Sequence, residues 1–179
     1  MAGNSQAHQA QEVYSSRKTR RINGGGVLPR ITSEELKPLA IVDSNILIYA
    51  MIKGYPTKIN HEECLTLLEK GLKGELDYTL TVNPIIVVEV FTTLRRLSSC
   101  DEAENKVGSL LRLRHLGFVP ISKDNCQTSL RWAKEKNIPV NDALIGANSL
   151  EHASIVYTLD DHFKKLEEYG VKPVNPLKP

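Results

Sequence analysis

Four acidic side chains occur at positions where they could act together. Asp43 directly follows the apolar run at residues 39–42, Asp160 follows a second short apolar run, and Glu89 and Asp142 lie between them in the chain. Carboxylate clusters without nitrogen or sulfur ligands select hard cations such as Mg²⁺ or Mn²⁺. Crowding four acids without a cation would raise their pKa values and strain the fold. The pattern therefore indicates a candidate metal site built from these acids.

Three of the acids also have an ordinary structural explanation. Asp43 and Asp142 each stand at the start of a predicted helix, and Asp160 or its neighbour Asp161 precedes another. A carboxylate in such a position is stabilised by free backbone N–H groups and by the helix dipole. Two adjacent aspartates nevertheless exceed what one helix cap requires. One turn beyond Asp142, Gly146 would let that helix approach a neighbouring element closely.

Glu89 is harder to explain as a purely structural residue. It lies in the segment Pro84-Ile85-Ile86-Val87-Val88-Glu89-Val90-Phe91, which is apolar nearly all round and therefore predicts a buried helix. A carboxylate buried in such a helix is costly unless a cation or several hydrogen-bond donors meet it. An arginine or a metal ion would serve, and we favour the metal ion.

The elements that must position these acids follow from the alternation of apolar runs and amphipathic segments. Strands are predicted over residues 39–42, 78–82, 117–120, 154–158 and 171–174. Helices are predicted over residues 45–51, 60–73, 84–97, 102–115, 123–136, 142–152 and 161–169. Ser44 and Asn141 are the expected capping residues of two of these helices. The alternation predicts an α/β fold, a three-layer sandwich with a central, mostly parallel sheet. Ligands bind beyond the carboxyl ends of the strands in such sheets. Asp43 and Asp160 each follow the end of a predicted strand and so lie at this edge.

Length and composition indicate one globular domain with a tail. The chain has 179 residues, of which 41% are hydrophobic and 25% charged, as in ordinary soluble domains. Residues 1–36 are predicted to be a flexible tail because they are rich in polar residues and glycine, and residues 37–179 are predicted to be the folded domain.

Three scattered cysteines favour a reducing cytoplasm. The sequence shows no apolar stretch of about 20 residues that would span a membrane.

The predicted tail carries the basic excess of the chain. Residues 1–30 hold five basic residues and one acidic residue, whereas the whole chain has a net charge of +2, so the remainder is acidic. A phosphate-binding arm would use the run of Arg17, Lys18, Arg20 and Arg21. A solvated tail explains the same residues, and both interpretations stay open.

Four segments resemble, in order, the motifs of PIN domains. Ile41-Val42-Asp43-Ser44-Asn45 is similar to the opening strand of that family, and Val88-Glu89-Val90 is similar to its second acidic position. Asn141-Asp142-Ala143-Leu144-Ile145-Gly146-Ala147 resembles the third motif. Tyr157-Thr158-Leu159-Asp160-Asp161-His162-Phe163 resembles the fourth. The resemblance covers roughly residues 38–175.

This resemblance implies a compact α/β sandwich with divalent-metal ribonuclease activity, most like the VapC toxins of toxin–antitoxin systems. The residues that would carry catalysis and bind one or two Mg²⁺ or Mn²⁺ ions are Asp43, Glu89, Asp142 and Asp160. Alignment on Thr158 and Phe163 assigns Asp160 to the site and gives Asp161 a supporting role. Two departures are Leu159, where a polar residue is common, and a tail longer than that of a minimal toxin.

The expected reaction is hydrolysis of RNA phosphodiester bonds to 5′-phosphate and 3′-hydroxyl ends. Asn45 and Thr158 are candidates for orienting an aspartate, although each is also ordinary for its element. Weaker candidates for RNA binding, which solvated helix faces explain equally well, are Arg95, Arg96, Arg112 and Arg114. Expected partners are RNA, a cognate antitoxin or the ribosome, and a second copy of the chain in a homodimer. The tail is expected to contribute to RNA or ribosome binding but not to chemistry.

Two other functions fit the same residues. A strand-end aspartate such as Asp43 is also the nucleophile of some phosphatases, usually with a second acid close by. Asn45, two residues after it, weakens that interpretation. The chain could also be a non-catalytic PIN-like module that binds RNA or ribosomes, with its four acids as relics. Activity on small phosphoesters without RNA cleavage would favour the first alternative, and failure to bind Mn²⁺ the second.

Overall fold

The computed structural model describes residues 37–178. The predicted N-terminal tail lies outside the described residues, and with it the basic run of Arg17, Lys18, Arg20 and Arg21, whose phosphate contacts stay a prediction. Within the described part of the chain, no helix has both the length and the apolar character that crossing a membrane requires.

Five short strands form one sheet in which all the described pairs are parallel. The strands are β1 (Leu39–Val42), β2 (Thr79–Val82), β3 (Gly117–Phe118), β4 (Ile155–Tyr157) and β5 (Lys172–Val174). Their order across the sheet is β3-β2-β1-β4-β5. β1 and β2 have the sequences LAIV and TLTV, and each is buried after its first residue. Continuous burial of this kind is expected of parallel strands covered on both faces.

Helices cover both faces of the sheet. They are α1 (Ser44–Met51), α2 (Lys58–Leu72), α3 (Pro84–Leu97), α4 (Cys100–Leu111), α5 (Lys123–Lys136), α6 (Val140–Ser149) and a 3₁₀ helix (Asp161–Tyr169). Because crossovers between parallel strands are almost always right-handed, the strand order puts α1 to α4 on one face, and α5, α6 and the 3₁₀ helix on the other. The packing agrees, since α1 contacts α2 and α3, and α6 contacts α5 and the 3₁₀ helix. The predicted three-layer sandwich with a parallel sheet is confirmed.

The apolar core lies between the sheet and its two helical layers. Ile41 on β1, Leu47 on α1, Ile86 on α3, Ile145 on α6 and Phe163 on the 3₁₀ helix are all fully buried. Because protein cores are close-packed, these side chains fix the elements that carry the acids relative to one another. Burial of apolar surface thus sets the positions of charged groups that would otherwise repel each other.

β1 lies where the strand order reverses, with β2 on one side and β4 on the other. β1 and β4 pair in register near their carboxyl ends. The Asp43 amide continues this pairing by donating a 2.9 Å hydrogen bond to the Tyr157 carbonyl. The two chain segments therefore leave the sheet side by side, at the position where parallel α/β sheets open a crevice.

The approach of α6 to the 3₁₀ helix depends on Gly146, as the sequence predicts. A Cβ added at Gly146 would lie 2.6 Å from Leu166 Cδ1, well inside van der Waals contact. Because glycine has no side chain, α6 can pack directly against Leu166. This contact holds the first turn of α6, with Asp142, near the strand ends.

Several boundaries differ from the sequence-based expectations. Asp43, and not Ser44, is the capping residue of α1, and its carboxylate accepts a hydrogen bond from the Ser44 amide. Asn141 does not cap α6, which follows Pro139 and has no side-chain cap. α4 ends at Leu111, earlier than predicted, and the last predicted helix is a 3₁₀ helix. Asp43 caps α1 through its own carboxylate, whereas Asn141 donates its side-chain amide to Glu89 on α3.

Candidate active site

Four acidic side chains from distant parts of the sequence line one cleft of about 500 Å³. They are the acids that the sequence singles out, namely Asp43, Glu89, Asp142 and Asp160. They belong to four places in the fold: the end of β1, the middle of α3, the first turn of α6 and the loop after β4. The other lining residues are Ser44, Asn45, Ile85, Val88, Thr92, Thr93, Arg96 and Asn141. The fold thus brings the four acids together, while their catalytic role stays a prediction.

Asp43 is the most buried of the four acids, with only 4% of its surface exposed. Its Oδ2 accepts hydrogen bonds from Thr158 Oγ1 at 2.6 Å and from Asn45 Nδ2 at 2.7 Å. Its Oδ1 accepts one from the Ser44 amide at 2.7 Å. Asn45 is itself held by the Leu159 amide, which donates to Asn45 Oδ1 at 3.3 Å. Asn45 and Thr158 therefore make the contact expected of residues that orient an aspartate.

Burial raises the pKa of Asp43 from its ordinary value of 3.8 to about 7. Hydrogen bonds from Thr158 and Ser44 lower this pKa, and the negative charges of Asp142 and Glu89 raise it. Without a cation, a large fraction of Asp43 is therefore protonated near neutral pH. The carboxylate form needs a positive charge nearby.

Glu89 faces the cleft from α3 and is half-buried. The expectation of a helix buried on every side is wrong, because Val88 beside it is 57% exposed. α3 buries one stripe, which includes Ile86 and Val90, and presents Glu89 at its border. Glu89 Oε1 accepts a 2.6 Å hydrogen bond from Asn141 Nδ2. Asn141 thus ties α3 to α6 beside the acids.

Asp142 and Asp160 are bridged by His162. The Nδ1 atom of His162 lies 3.0 Å from Asp142 Oδ2 and 3.2 Å from Asp160 Oδ1. The His162 amide also donates a 2.8 Å hydrogen bond to Asp160 Oδ1. Burial raises the pKa of Asp142 to about 6; Asp160 and Glu89 also raise it, and His162 lowers it. Ligand atoms of Asp142, Asp160 and His162 all lie within 4.8 Å of one another and could hold a metal ion.

Asp161 lies apart from this group. Its Oδ1 is 2.6 Å from Lys164 Nζ, and its side chain is 79% exposed. Asp160 lines the cleft, and its amide donates a 3.0 Å hydrogen bond to Thr158 Oγ1. The geometry therefore supports assigning Asp160 to the site. The observed contact of Asp161 is an ion pair within the 3₁₀ helix.

Of the four arginines predicted to bind RNA within the described chain, the structure places Arg96 in the cleft wall. Arg95 is exposed on α3, and Arg112 and Arg114 are exposed beyond the end of α4. Arg112 donates a 3.2 Å hydrogen bond to Ser109. Arg96 is thus the best placed of these residues to contact a phosphate that enters the cleft.

The residues of the cleft fit a divalent cation. Carboxylate oxygens are the ligands that hard divalent ions prefer. Burial is the largest cause of the raised pKa values of Asp43 and Asp142, and the negative charges of neighbouring acids add to it. Among the described lining residues, Arg96 alone carries a positive charge. A bound cation would supply the counter-charge that Arg96 cannot supply to four acids.

Sequence reasoning missed His162 and the true contact of Asn141. The sequence predicts a helix cap at Asn141, but its amide reaches Glu89, 52 residues away. His162 follows the pair Asp160 and Asp161, and that proximity was the one signal that could have marked it. Nothing local shows that its ring also meets Asp142, 20 residues earlier in the chain.

A second cavity, of about 430 Å³, lies between α1, α2 and α4. It is mostly apolar, and its lining includes Met51, Leu65, Leu68, Leu110 and Leu113. Leu65 and Leu113 are 36% and 38% exposed. The groove shares no lining residue with the acid cleft. An exposed apolar groove of this kind is typical of a surface that binds a partner.

Fold and site together define an α/β domain with a cleft of acidic side chains at the switch point of a parallel sheet. A family model for the PIN domain matches residues 40–169. The chain belongs to the PIN domain family. A search of curated proteins found no match to the chain.

Several solved structures of toxin–antitoxin systems share this fold. VapBC2 from Rickettsia felis, bound to a DNA fragment from its promoter, has 17% sequence identity and a TM-score of 0.58, over 76% of this chain and 98% of its own. VapC20 from Mycobacterium tuberculosis, described as a Sarcin-Ricin loop cleaving toxin, has 16% identity and a TM-score of 0.58, over 75% and 98%. VapBC-1 from nontypeable Haemophilus influenzae has 18% identity and a TM-score of 0.55, over 78% and 99%. At these identities the likeness concerns the fold.

Proposed function

We propose that the protein is a divalent-metal-dependent endoribonuclease that hydrolyses RNA to 5′-phosphate and 3′-hydroxyl ends. The observation that carries the proposal is the convergence of four carboxylates, from four separate segments, on one cleft at the switch point of the sheet. Crowded acids of this kind destabilise the metal-free fold. A catalytic role explains why the protein has them despite that cost. Membership of the PIN domain family supports the same conclusion.

The chain's own residues have separable roles in this proposal. The residues that would hold one or two Mg²⁺ or Mn²⁺ ions are Asp43, Glu89, Asp142 and Asp160. The cation would supply Lewis acidity, which makes water a better nucleophile and offsets charge on the leaving oxygen. Thr158 and Asn45 hold Asp43, and Asn141 holds Glu89, so that the carboxylates keep a fixed orientation. Arg96 would bind a phosphate of the RNA backbone.

We also propose that the protein is a VapC-like toxin with an antitoxin as partner. Support comes from relatives of the same fold that were solved as VapBC complexes, and from one that is described as a toxin cleaving the Sarcin-Ricin loop. The apolar groove between α1, α2 and α4 offers the exposed leucines that a partner protein would cover. The alternative to a toxin is a nuclease that processes cellular RNA by the same reaction. Ribosome binding, a homodimer and a cytoplasmic location stay predictions.

A phosphatase built on Asp43 is less well supported. Both oxygens of Asp43 accept hydrogen bonds from neighbouring residues, and only 4% of its surface is exposed. A nucleophile must reach a substrate phosphorus, which such an enclosed carboxylate does poorly. Phosphatases of this kind usually also need a lysine at the site, and the residues described as lining the cleft include none.

The test is cleavage of a mixed RNA pool by the purified full chain, followed by sequencing of both new ends. Cleavage is expected with Mg²⁺ or Mn²⁺, to stop with EDTA and to leave 5′-phosphates. Glu89→Gln, purified in parallel, controls for contaminating ribonuclease, because it keeps the shape of Glu89 but removes a charge from the cleft. Cleavage that survives EDTA, or products with 2′,3′-cyclic phosphates, would overturn the proposal. Metal binding without any RNA cleavage would favour a non-catalytic RNA-binding module.

The toxin assignment has its own test. Induced expression of the wild-type chain should stop growth of the host, whereas Glu89→Gln should be tolerated at an equal protein level. Equal growth with both chains would leave the nuclease proposal intact and contradict the toxin assignment.

A further inference from the structure

His162 places a nitrogen donor beside two of the acids that line the cleft. Its Nδ1 atom lies 3.0 Å from Asp142 Oδ2 and 3.2 Å from Asp160 Oδ1. The two aspartates come from different elements, the first turn of α6 and the loop after β4. One imidazole therefore meets two acids that are already candidate metal ligands.

The position of His162 is fixed by its neighbours. Its amide donates a 2.8 Å hydrogen bond to Asp160 Oδ1, which places the residue at the start of the 3₁₀ helix. The next residue, Phe163, is fully buried and anchors this helix in the core. The His162 side chain is 42% exposed, so an ion can reach it from solvent. These contacts hold the ring near the aspartates without enclosing it.

The spacing of the three side chains suits a single ion. Ligand atoms of Asp142, Asp160 and His162 all lie within 4.8 Å of one another. First-row metal ions bind carboxylate oxygen and imidazole nitrogen at about 2.0–2.2 Å. Neighbouring ligands at right angles around such an ion are therefore about 3 Å apart. The distances of 3.0 and 3.2 Å from His162 Nδ1 to the two aspartates are close to this value.

A nitrogen ligand changes which ion is preferred. Mg²⁺ takes oxygen ligands almost exclusively and keeps several waters. Imidazole suits first-row transition metals, and Mn²⁺ accepts oxygen ligands as well. A site made of the acids alone is expected to bind Mg²⁺ and Mn²⁺ with similar affinity. Ligation by His162 would raise the affinity for Mn²⁺ relative to that for Mg²⁺.

We infer that Asp142, Asp160 and His162 form a transition-metal subsite at the wall of the cleft, which binds Mn²⁺ in preference to Mg²⁺ through the His162 nitrogen. The inference rests on the proposed function, because that proposal places a metal among these acids. It goes further by naming the ion and the side chain that selects it.

The competing explanation is that His162 only positions Asp142 through a hydrogen bond. His162→Asn separates the two roles, because its amide nitrogen can still donate near the position of Nδ1 but is not a metal ligand. Loss of a purely positioning contact would weaken Mn²⁺ and Mg²⁺ binding alike. Loss of a nitrogen ligand would weaken Mn²⁺ binding more.

The first measurement is calorimetric titration of the EDTA-treated full chain with Mn²⁺ and with Mg²⁺. In His162→Asn, the ratio of the Mn²⁺ affinity to the Mg²⁺ affinity should fall severalfold, because Mn²⁺ binding loses a nitrogen ligand that Mg²⁺ does not use. The matched control is Asp161→Asn, which changes the adjacent exposed residue that pairs with Lys164 and should keep the wild-type ratio. Thermal unfolding of each protein confirms that it is folded. An unchanged ratio in His162→Asn would overturn the inference.

The second measurement reads the ligand directly. Pulsed electron paramagnetic resonance of the Mn²⁺-loaded wild-type protein should show nitrogen modulation from a bound imidazole, and His162→Asn should lack it. Wild-type protein that binds Mn²⁺ without this modulation, or that binds neither ion, would overturn the inference. RNA cleavage measured on the same samples separates the two proposals. Cleavage without nitrogen ligation contradicts only the inference, whereas nitrogen-ligated Mn²⁺ without cleavage contradicts only the proposed function.

Discussion

The acid cleft and a cluster of buried asparagines involve the same two helices, α3 and α6, but the two groups are satisfied in different ways. Asn83 precedes α3 and Asn148 lies on α6, and both are fully buried. Asn83 Nδ2 donates a 3.1 Å hydrogen bond to Asn148 Oδ1. Asn148 Nδ2 donates to Asn125 Oδ1 at 3.2 Å and to the Pro120 carbonyl at 2.9 Å. The asparagine cluster completes its hydrogen bonds within the protein.

The acids cannot do the same. Amide side chains carry both donors and acceptors and can satisfy one another, whereas ionised carboxylates only accept and repel each other. Burial, with repulsion from the neighbouring acids added to it, raises the pKa values of Asp43 and Asp142. We infer that the hydrogen-bonded asparagines hold α3 and α6 together. The stability that they contribute offsets the cost of placing acids on the same two helices in the metal-free protein.

The largest expected effect separates activity from stability. Glu89→Gln and Asp142→Asn should each reduce RNA cleavage about a thousandfold or more, because each removes a charge that the cation requires. Neither should lower the free energy of unfolding of the metal-free protein, and Asp142→Asn should raise it by removing a partly buried charge and its repulsion with Asp160. Cleavage rates at saturating metal and RNA, with urea unfolding in EDTA, measure both quantities. Near-wild-type cleavage by either variant would remove that residue from the site.

Asn148→Ala should show the opposite pattern. It removes three hydrogen bonds and leaves buried partners unsatisfied, which should lower the free energy of unfolding by about 3 kcal/mol. Cleavage per folded molecule should change little below the unfolding transition. The exposed Asn105→Ala on α4 is the matched control and should be nearly neutral. A stability loss no larger than that of the control would mean that the cluster does not hold the helices.

The pH dependence of metal-free stability should come from the acid cleft. The pKa of Asp43 is about 7 when folded and 3.8 ordinarily, so between these values the folded state binds more protons. The free energy of unfolding should therefore fall as pH rises, by about 2 kcal/mol between about pH 5 and pH 7.5 from Asp43 alone. Asp142, with its pKa raised to about 6, acts in the same direction.

Urea unfolding in EDTA across this pH range provides the measurement. Asp43→Asn should flatten the curve, whereas Asn148→Ala should lower it without changing its slope. A wild-type curve that rises with pH through this window would show that other groups dominate.

The smallest expected effect concerns the adjacent aspartates after β4. Asp160→Asn should reduce cleavage about tenfold more than Asp161→Asn, because Asp160 lines the cleft and Asp161 pairs with Lys164 outside it. Parallel rate measurements at saturating metal test the order. The reverse order would shift the fourth motif by one residue.

The parts of the fold that depend on short-range patterns could be predicted from the sequence. The continuous apolar run before Asp43 predicts a buried parallel strand, and β1 is one. The proline after Asn83 predicts the start of α3, which begins at Pro84. Strand-end positions also brought Asp43 and Asp160 to one edge, because neighbouring parallel strands end together.

The features that could not be predicted have a common physical cause, because each depends on which surfaces pack against each other in the folded protein. The periodicity around Glu89 could not show that one side of α3 borders an open cleft, where Val88 is exposed. A first-turn asparagine looks like a cap at residue 141, and only the packing of α6 against α3 gives its amide a partner in Glu89. His162 was missed for the same reason, because its contact with Asp142 depends on the approach of α6 to the 3₁₀ helix.

The hydrogen bond between Asp43 and Thr158 joins residues that are 115 positions apart. During synthesis, β1 emerges from the ribosome long before β4, its neighbour in the sheet. Asp43 therefore cannot accept its hydrogen bond from Thr158, or lie beside Asp142 and Asp160, until nearly the whole domain has been made. Under the proposed function, this order of assembly would delay RNA cleavage until the protein's own message has been almost completely translated.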